Sequence, residues 1–275
     1  MSGAGCTFGG SDLYADKSQA VGADGGADSG SEATAGGDGS DNSLPDVSGT
    51  WAQRWVVGSI DTMPVIGDVQ ASTKSLMRVQ VEQRGADLLM RVETCLVEVD
   101  SGTEIIQEVI PDAFVASLGI SVRAVWLERQ GSRYRFVQPR AYELRGVRLL
   151  DVAGEALPTS AQDPRVYDQD VDGRPGVTVR VTGLVDGEVW VAQRDSHEVE
   201  GEVVSLDRIE GRIRWLKEQA ILGADNPLLE SPLPSVPDPN PDRSTMVMVR
   251  TSEDMQCAGI VAQEAELFGE QGGGG

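Results

Sequence analysis

The sequence predicts an all-β fold, an antiparallel meander closed into a barrel or stacked as a sandwich, preceded by a disordered tether. Three observations carry this expectation. Apolar residues recur at every second position over short runs, hairpin turn signals separate the runs, and helical spacing is scarce. The start of the chain lacks the pattern: residues 7–47 are mostly Gly, Ser, Ala and Asp, with eight acidic residues against Lys17 alone. Such a segment has too little apolar surface to offset its backbone entropy, and its repeated negative charge stretches it. The organisation therefore reads as a tether over 1–47, a single β domain over 48–268 and a glycine-rich tail over 269–275. A domain of that length can bury a core of its own.

The strands follow in order. Met77, Val79 and Val81 alternate with Arg78, Gln80 and Glu82. Arg84-Gly85-Ala86-Asp87 then turns the chain into Leu88, Met90 and Val92, with Cys95 on the opposite face. Pro111 to Leu118 reads as a short helix. Val122, Ala124 and Trp126 are taken as one face of the next strand, and Gln130-Gly131-Ser132 turns it into Tyr134 and Phe136. Val177, Val179 and Val181 lead through Asp186-Gly187, a strong hairpin signal, into Val189 and Val191. Strands continue over 198–206 and 209–216, and 216–222 could add a helical turn. The last hairpin is expected to run from Met246–Arg250 through Ser252-Glu253-Asp254 into a strand over 258–267. Residues 151–176 form a polar loop, and the six prolines of 225–243 block both helix and central strand there.

Charge limits the function classes. A formal net charge of −21 argues against nucleic-acid binding, since a polyanion needs Lys and Arg to displace its counterions. It also argues against direct adsorption to anionic lipid heads, so attachment to a membrane would run through a lipid anchor. No stretch approaches the apolar length of a spanning helix.

Asp168-Gln169-Asp170-Val171-Asp172-Gly173 is the strongest chemical motif. Carboxylates at alternate positions, with Gly permitting a sharp turn, converge oxygen on a hard cation such as Ca²⁺. The six residues resemble the first half of an EF-hand loop and the aspartate loops of thrombospondin type 3 repeats. By that spacing the closing acidic ligand falls on Val179, which carries no oxygen, so further ligands would come from elsewhere, Asp163 among them. The bland alternative is a solvated acidic turn. His197 is the sole histidine and reads as a polar surface residue. No nucleophile elbow, phosphate-binding glycine loop or C-x-x-C pair appears.

Cys6 follows Gly3-Ala4-Gly5 and precedes the tether, and this arrangement resembles the processing site of a bacterial lipoprotein, which implies lipidation of Cys6. The apolar run of a signal peptide is missing ahead of it, so the reading expects either a true start upstream of Met1 or a replaced signal. With Cys6 set aside, Cys95 and Cys257 remain as a disulfide pair or as two separate buried thiols. Gly49-Thr50-Trp51 resembles the G-x-W that opens the lipocalin barrel. That resemblance implies an eight-stranded meander carrying small apolar ligands, with a late Arg packed across the Trp; Arg250 fills that position. Trp51, Trp126, Trp190, Trp215 and Arg250 are the candidate cavity residues. The layout as a whole resembles uncharacterised surface lipoproteins of Gram-negative bacteria.

These readings lead to a lipoprotein of the cell envelope, at the outer membrane or cell surface. In that reading it acts as a non-catalytic binding or carrier module for a small apolar ligand or a surface partner. The alternatives are a structural or assembly component of the envelope and a hydrolase using a carboxylate pair.

Overall fold

The computed structural model describes residues 44–63, 67–231 and 234–269. Cys6 and the tether up to residue 43 lie outside the described residues. Leu44 to Val47, assigned to the tether from the sequence, belong instead to the domain: Val47 is fully buried in its core and Leu44 packs against it. The first strands are β1 (Gly49–Met63), β2 (Gly67–Arg84), β3 (Asp87–Asp100) and β4 (Ile106–Val109). A short helix α1 (Asp112–Ser117) precedes β5 (Ile120–Gln130), β6 (Arg133–Arg145) and β7 (Val177–Gly183). Then come β8 (Gly187–Ser205), β9 (Arg208–Ala224), β10 (Ser235–Pro237) and β11 (Thr245–Arg250), with α2 (Cys257–Ala262) and α3 (Glu264–Phe268) last.

Strands β1, β2, β3, β5, β6, β8, β9 and β11 each pair antiparallel with the next, and β11 returns to β1. Hydrogen bonding thus runs round a ring, yet the ring is not a regular barrel. One edge of β8 is taken by β9 over most of its length, so β7 and β6 must share the other edge, at residues 187–191 and 193–202. There β7 and its partner β4 leave the ring as a wing. The β1–β9 seam is bridged by β11 at residues 51–56 of β1 and continued along β1 by β10 at 59–61. Pro139, which cannot donate to a ladder, falls at the register shift of β6 between Gln138 and Ala141.

Alternation places two apolar cores inside the ring. Trp51, Val79, Met90, Phe136, Ile209 and Met248 fill the closed end. Phe114, Val179, Val181 and Val191 pack beneath the wing. Ala52, Leu76, Val247, Ile260 and Phe268 form a third cluster on the outside, under the C-terminal helices.

Three sequence expectations are corrected. Residues 257–268 are helical rather than a strand: Ile260, Leu267 and Phe268 recur at i, i+7 and i+8, a helical face that the preceding alternation obscured. Residues 216–222 continue β9 as strand, because β8 offers a partner along that length. The face of β5 is inverted: Val122 is 57% exposed while Arg123, Val125 and Leu127 are buried. A shift of one residue moves a strand's entire inner set to solvent, and on β5 both faces hold apolar residues, so alternation alone left the phase open.

Candidate functional site

Between the two inner cores lies a partly open cavity of about 180 Å³. Its apolar wall includes Val57, Val97, Val99, Phe114 and Val179. Its polar floor comes from four strands whose phase aims polar and charged residues inward: Arg123 of β5, Glu143 and Arg145 of β6, Asp195 and His197 of β8, and Trp215 of β9. Register sets the details. Glu143 lies directly opposite Asp195, a like-charge pairing that repels on its own. Arg145 answers by binding both, with Nη2 donating to Glu143 Oε2 at 3.2 Å and Nη1 donating to Asp195. Arg123, whose side chain is only 5% exposed, donates from Nη2 to Glu143 Oε1 at 2.8 Å.

Trp55 ties the cluster together. Its ring carries the Arg123 guanidinium 4.4 Å from its centroid and meets the His197 imidazole edge-on at 4.8 Å. His197 is 4% exposed. Burial, and then the charge of Arg123, push its pKa down to about 4 against the pull of Glu143 and Asp195, so at neutral pH it is uncharged. Burial pushes Glu143 up, but Arg123 and Arg145 together hold its carboxyl down at about 2. The sequence expectation of a surface His197 is therefore corrected: it occupies the cavity floor.

Several donors around this floor are fully buried and have no hydrogen-bond partner among the described residues: Trp55 Nε1, Trp215 Nε1, Arg123 Nε and Nη1, and Arg145 Nε. Asp61 Oδ1, Asp195 Oδ1 and His197 Nε2 are likewise unpartnered.

Of the tryptophans named from the sequence, Trp215 lines the cavity and Trp51, Trp126 and Trp190 do not. Trp51 is fully buried in the closed end, donating from Nε1 to Val47 O at 3.0 Å. Arg250 packs over its ring at 4.6 Å from the far side of the core, so neither residue reaches the cavity. A Cβ on Gly49 would stand 2.9 Å from Arg250 Nη1, at a φ of +123°, which is why glycine precedes this Trp–Arg stack. Trp126 faces outward, donating to Glu128 Oε1 at 2.7 Å, as its place on the inverted face of β5 requires. Trp190 lies under Arg174, whose guanidinium is 4.5 Å from its centroid.

Asp168, Asp170 and Asp172 each bring an oxygen within 4.8 Å of the others, and the group could hold a metal ion. Asx-type bonds shape the loop: Asp168 accepts from the Asp172 and Gly173 amides, and Asp172 from that of Arg174. Asp170 is buried, its Oδ2 accepts from the Thr178 amide at 2.9 Å, and its Oδ1 has no partner among the described residues. Burial, then repulsion from Asp172 and Asp168, raises its pKa. Asp163 is engaged instead with Arg165, and Val179 is a core residue. Cys95 of β3 and Cys257 of α2 are disulfide-bonded, with Cα atoms 5.0 Å apart.

No known protein family matches the sequence, and no curated protein matches it either. No helix among the described residues is long and apolar enough to cross a membrane.

The sequence held one unused sign of the floor. Glu143 and Arg145, like Asp195 and His197, are spaced i, i+2, which places both members of each pair on one face of a strand.

Proposed function

We propose that this chain is a non-catalytic binding or carrier module whose ligand occupies the cavity inside the strand ring. The observation that carries the reading is the cavity itself, with an apolar wall facing a floor of fixed polar groups, the usual construction of a small-molecule site. In keeping with the Cys6 context, the module is held at the cell envelope by a lipid on that cysteine, with the acidic segment as spacer. The Asp168–Asp170–Asp172 loop binds Ca²⁺, a hard cation suited to converging carboxylates, through oxygens that include Asp170 Oδ1. A carboxylate-pair hydrolase needs an acid of raised pKa, a role that Glu143, held low, does not suit.

Native mass spectrometry of the protein purified from its source tests the reading. The expected result is a chain carrying a lipid mass on Cys6 and releasing a small organic molecule under activation. A bare chain that instead co-purifies with a stoichiometric protein partner would favour an assembly role and sink the carrier reading.

A further inference from the structure

Resting on the reading of Asp168, Asp170 and Asp172 as a cation site, we infer that this loop is a latch on the cavity wall. A cation bound there tightens α1 and the start of β7 against the cavity, and Gln169 carries the effect to α1. Beyond the convergence of the three carboxylates, the second sign of a ligand is Asp170 itself. It is only 9% exposed, and its Oδ1 has no partner among the described residues.

The connections run from the loop to three parts of the wall. Gln169 lies between two of the carboxylates in sequence, and its side chain reaches out of the loop. Nε2 donates to Ser117 O, at the end of α1, at 3.2 Å. Oε1 accepts from the Gly146 amide at 2.7 Å and from the Tyr167 hydroxyl at 2.8 Å. The Ser117 hydroxyl in turn donates to Phe114 O at 2.7 Å, and Phe114 and Leu118 line the cavity. Gly146 directly follows Arg145 of the floor. The carboxylates grip the opposite wall: Asp170 Oδ2 accepts from the Thr178 amide and Asp172 Oδ2 from the Thr178 hydroxyl. The next residue, Val179, lines the cavity.

Charge sets the direction of the effect. Without a cation, three carboxylates within 4.8 Å of one another repel. That repulsion pulls on the backbone from which Gln169 reaches α1, and on both bonds to Thr178. A cation replaces it with attraction and fixes residues 168–172 in place. Helix α1 has six residues, too few to hold its shape alone, so it depends on such anchors. The two states differ in the loop: closed, with α1 and β7 held, or open, with both loosened. A cation that binds the closed loop more tightly shifts the population toward it.

Two measurements on the full chain test this: calorimetric titration with Ca²⁺, and hydrogen exchange in chelator and in saturating Ca²⁺. Calcium is expected to bind, and to slow exchange over Val115–Leu118 of α1 and at Thr178 and Val179 of β7 at least about fivefold. The variant Gln169→Met keeps the length of the side chain and removes its hydrogen bonds, leaving all three carboxylates. With an unchanged far-ultraviolet circular dichroism spectrum, it is expected to keep the calcium affinity of the parent, to lose the slowing in α1 and to retain it in β7. Calcium binding by the parent without slower exchange in α1 overturns the latch and leaves the cation site standing. Full slowing of α1 in the variant overturns the role of Gln169. Absence of calcium binding by the parent overturns the cation site and the latch with it. The comparison within the parent decides the latch whether or not the variant folds.

Discussion

Arg123 decides more of this protein's character than any other single residue, since it supports Glu143, stacks on Trp55 and depresses the pKa of His197. Arg123→Met removes that cation while Glu143 keeps only Arg145, and it is expected to cost about 2–3 kcal/mol, somewhat less than losing one partner of a fully buried pair. Urea unfolding at neutral pH measures it, with a shift in midpoint at constant slope as the expected form. His197 makes a separate pH-dependent contribution. Its pKa is about 4 in the fold and about 6.5 in the unfolded chain, so below pH ~6.5 the unfolded state takes up the extra proton first. The contribution is complete above about pH 6.5 and is lost as pH falls through 4; at order of magnitude it is about 3 kcal/mol. Glu143, lowered to about 2, adds a loss of the same sign further into acid. His197→Phe, which preserves an aromatic contact with Trp55, is expected to flatten stability between pH ~6.5 and ~4. Unfolding midpoints at several pH values check this. At this scale the sequence was half legible: the Trp51–Arg250 stack was read from G-x-W and a late arginine, whereas nothing local marked Arg123 as inward.

Two elements carry predictions of their own. The C-terminal helices hold to the outside of the ring through Ile260 and Phe268, the Lys74–Glu264 ion pair and the Cys95–Cys257 bond. That bond spans 162 residues, and the chain-entropy model assigns a loop of this size about 5 kcal/mol. Cys95→Ser together with Cys257→Ser should therefore lower the denaturant midpoint strongly, and a reductant should mimic it in the parent protein. The aspartate loop behaves differently. The raised pKa of Asp170 means that its ionisation costs stability at neutral pH, a cost that a bound cation removes. Calcium is accordingly expected to raise the melting temperature of the parent. Asp170→Asn is expected to be more stable than the parent in chelator and to lose the response to calcium, both read by thermal unfolding. Equal responses in the two proteins would refute the site. The loop was legible because its spacing is local. The C-terminal helices were misread because their helical face is short and follows directly on a strongly alternating strand.

Across the whole molecule, the ring is tightest where β1, β2, β3, β9 and β11 surround the tryptophan core, and it divides where β6 and β7 share one edge of β8. The wing of β4 and β7 is held by fewer neighbours, since among the described strands β4 pairs with β7 alone. Hydrogen exchange is expected to follow this division, with the slowest amides in β1, β2 and β11 and markedly faster ones in β4 and α1. A sample that keeps the ligand of the proposed carrier function should show slower exchange in α1, whose Phe114 and Leu118 line the cavity. The sheer number of hairpins was legible from turn chemistry, and so was the antiparallel meander. The split of the ring was not, because one strand edge accepting two partners in succession leaves no mark on the alternation of either partner.

The sequence by itself determined the all-β class, the hairpin order and the local shape of the aspartate loop. Each depends on spacing within a few residues. Only the tertiary structure decided which face of β5 points inward, which tryptophans meet the cavity and how four charged side chains neutralise one another on its floor. Those outcomes depend on register between strands far apart in the chain, and a shift of one residue would reverse them.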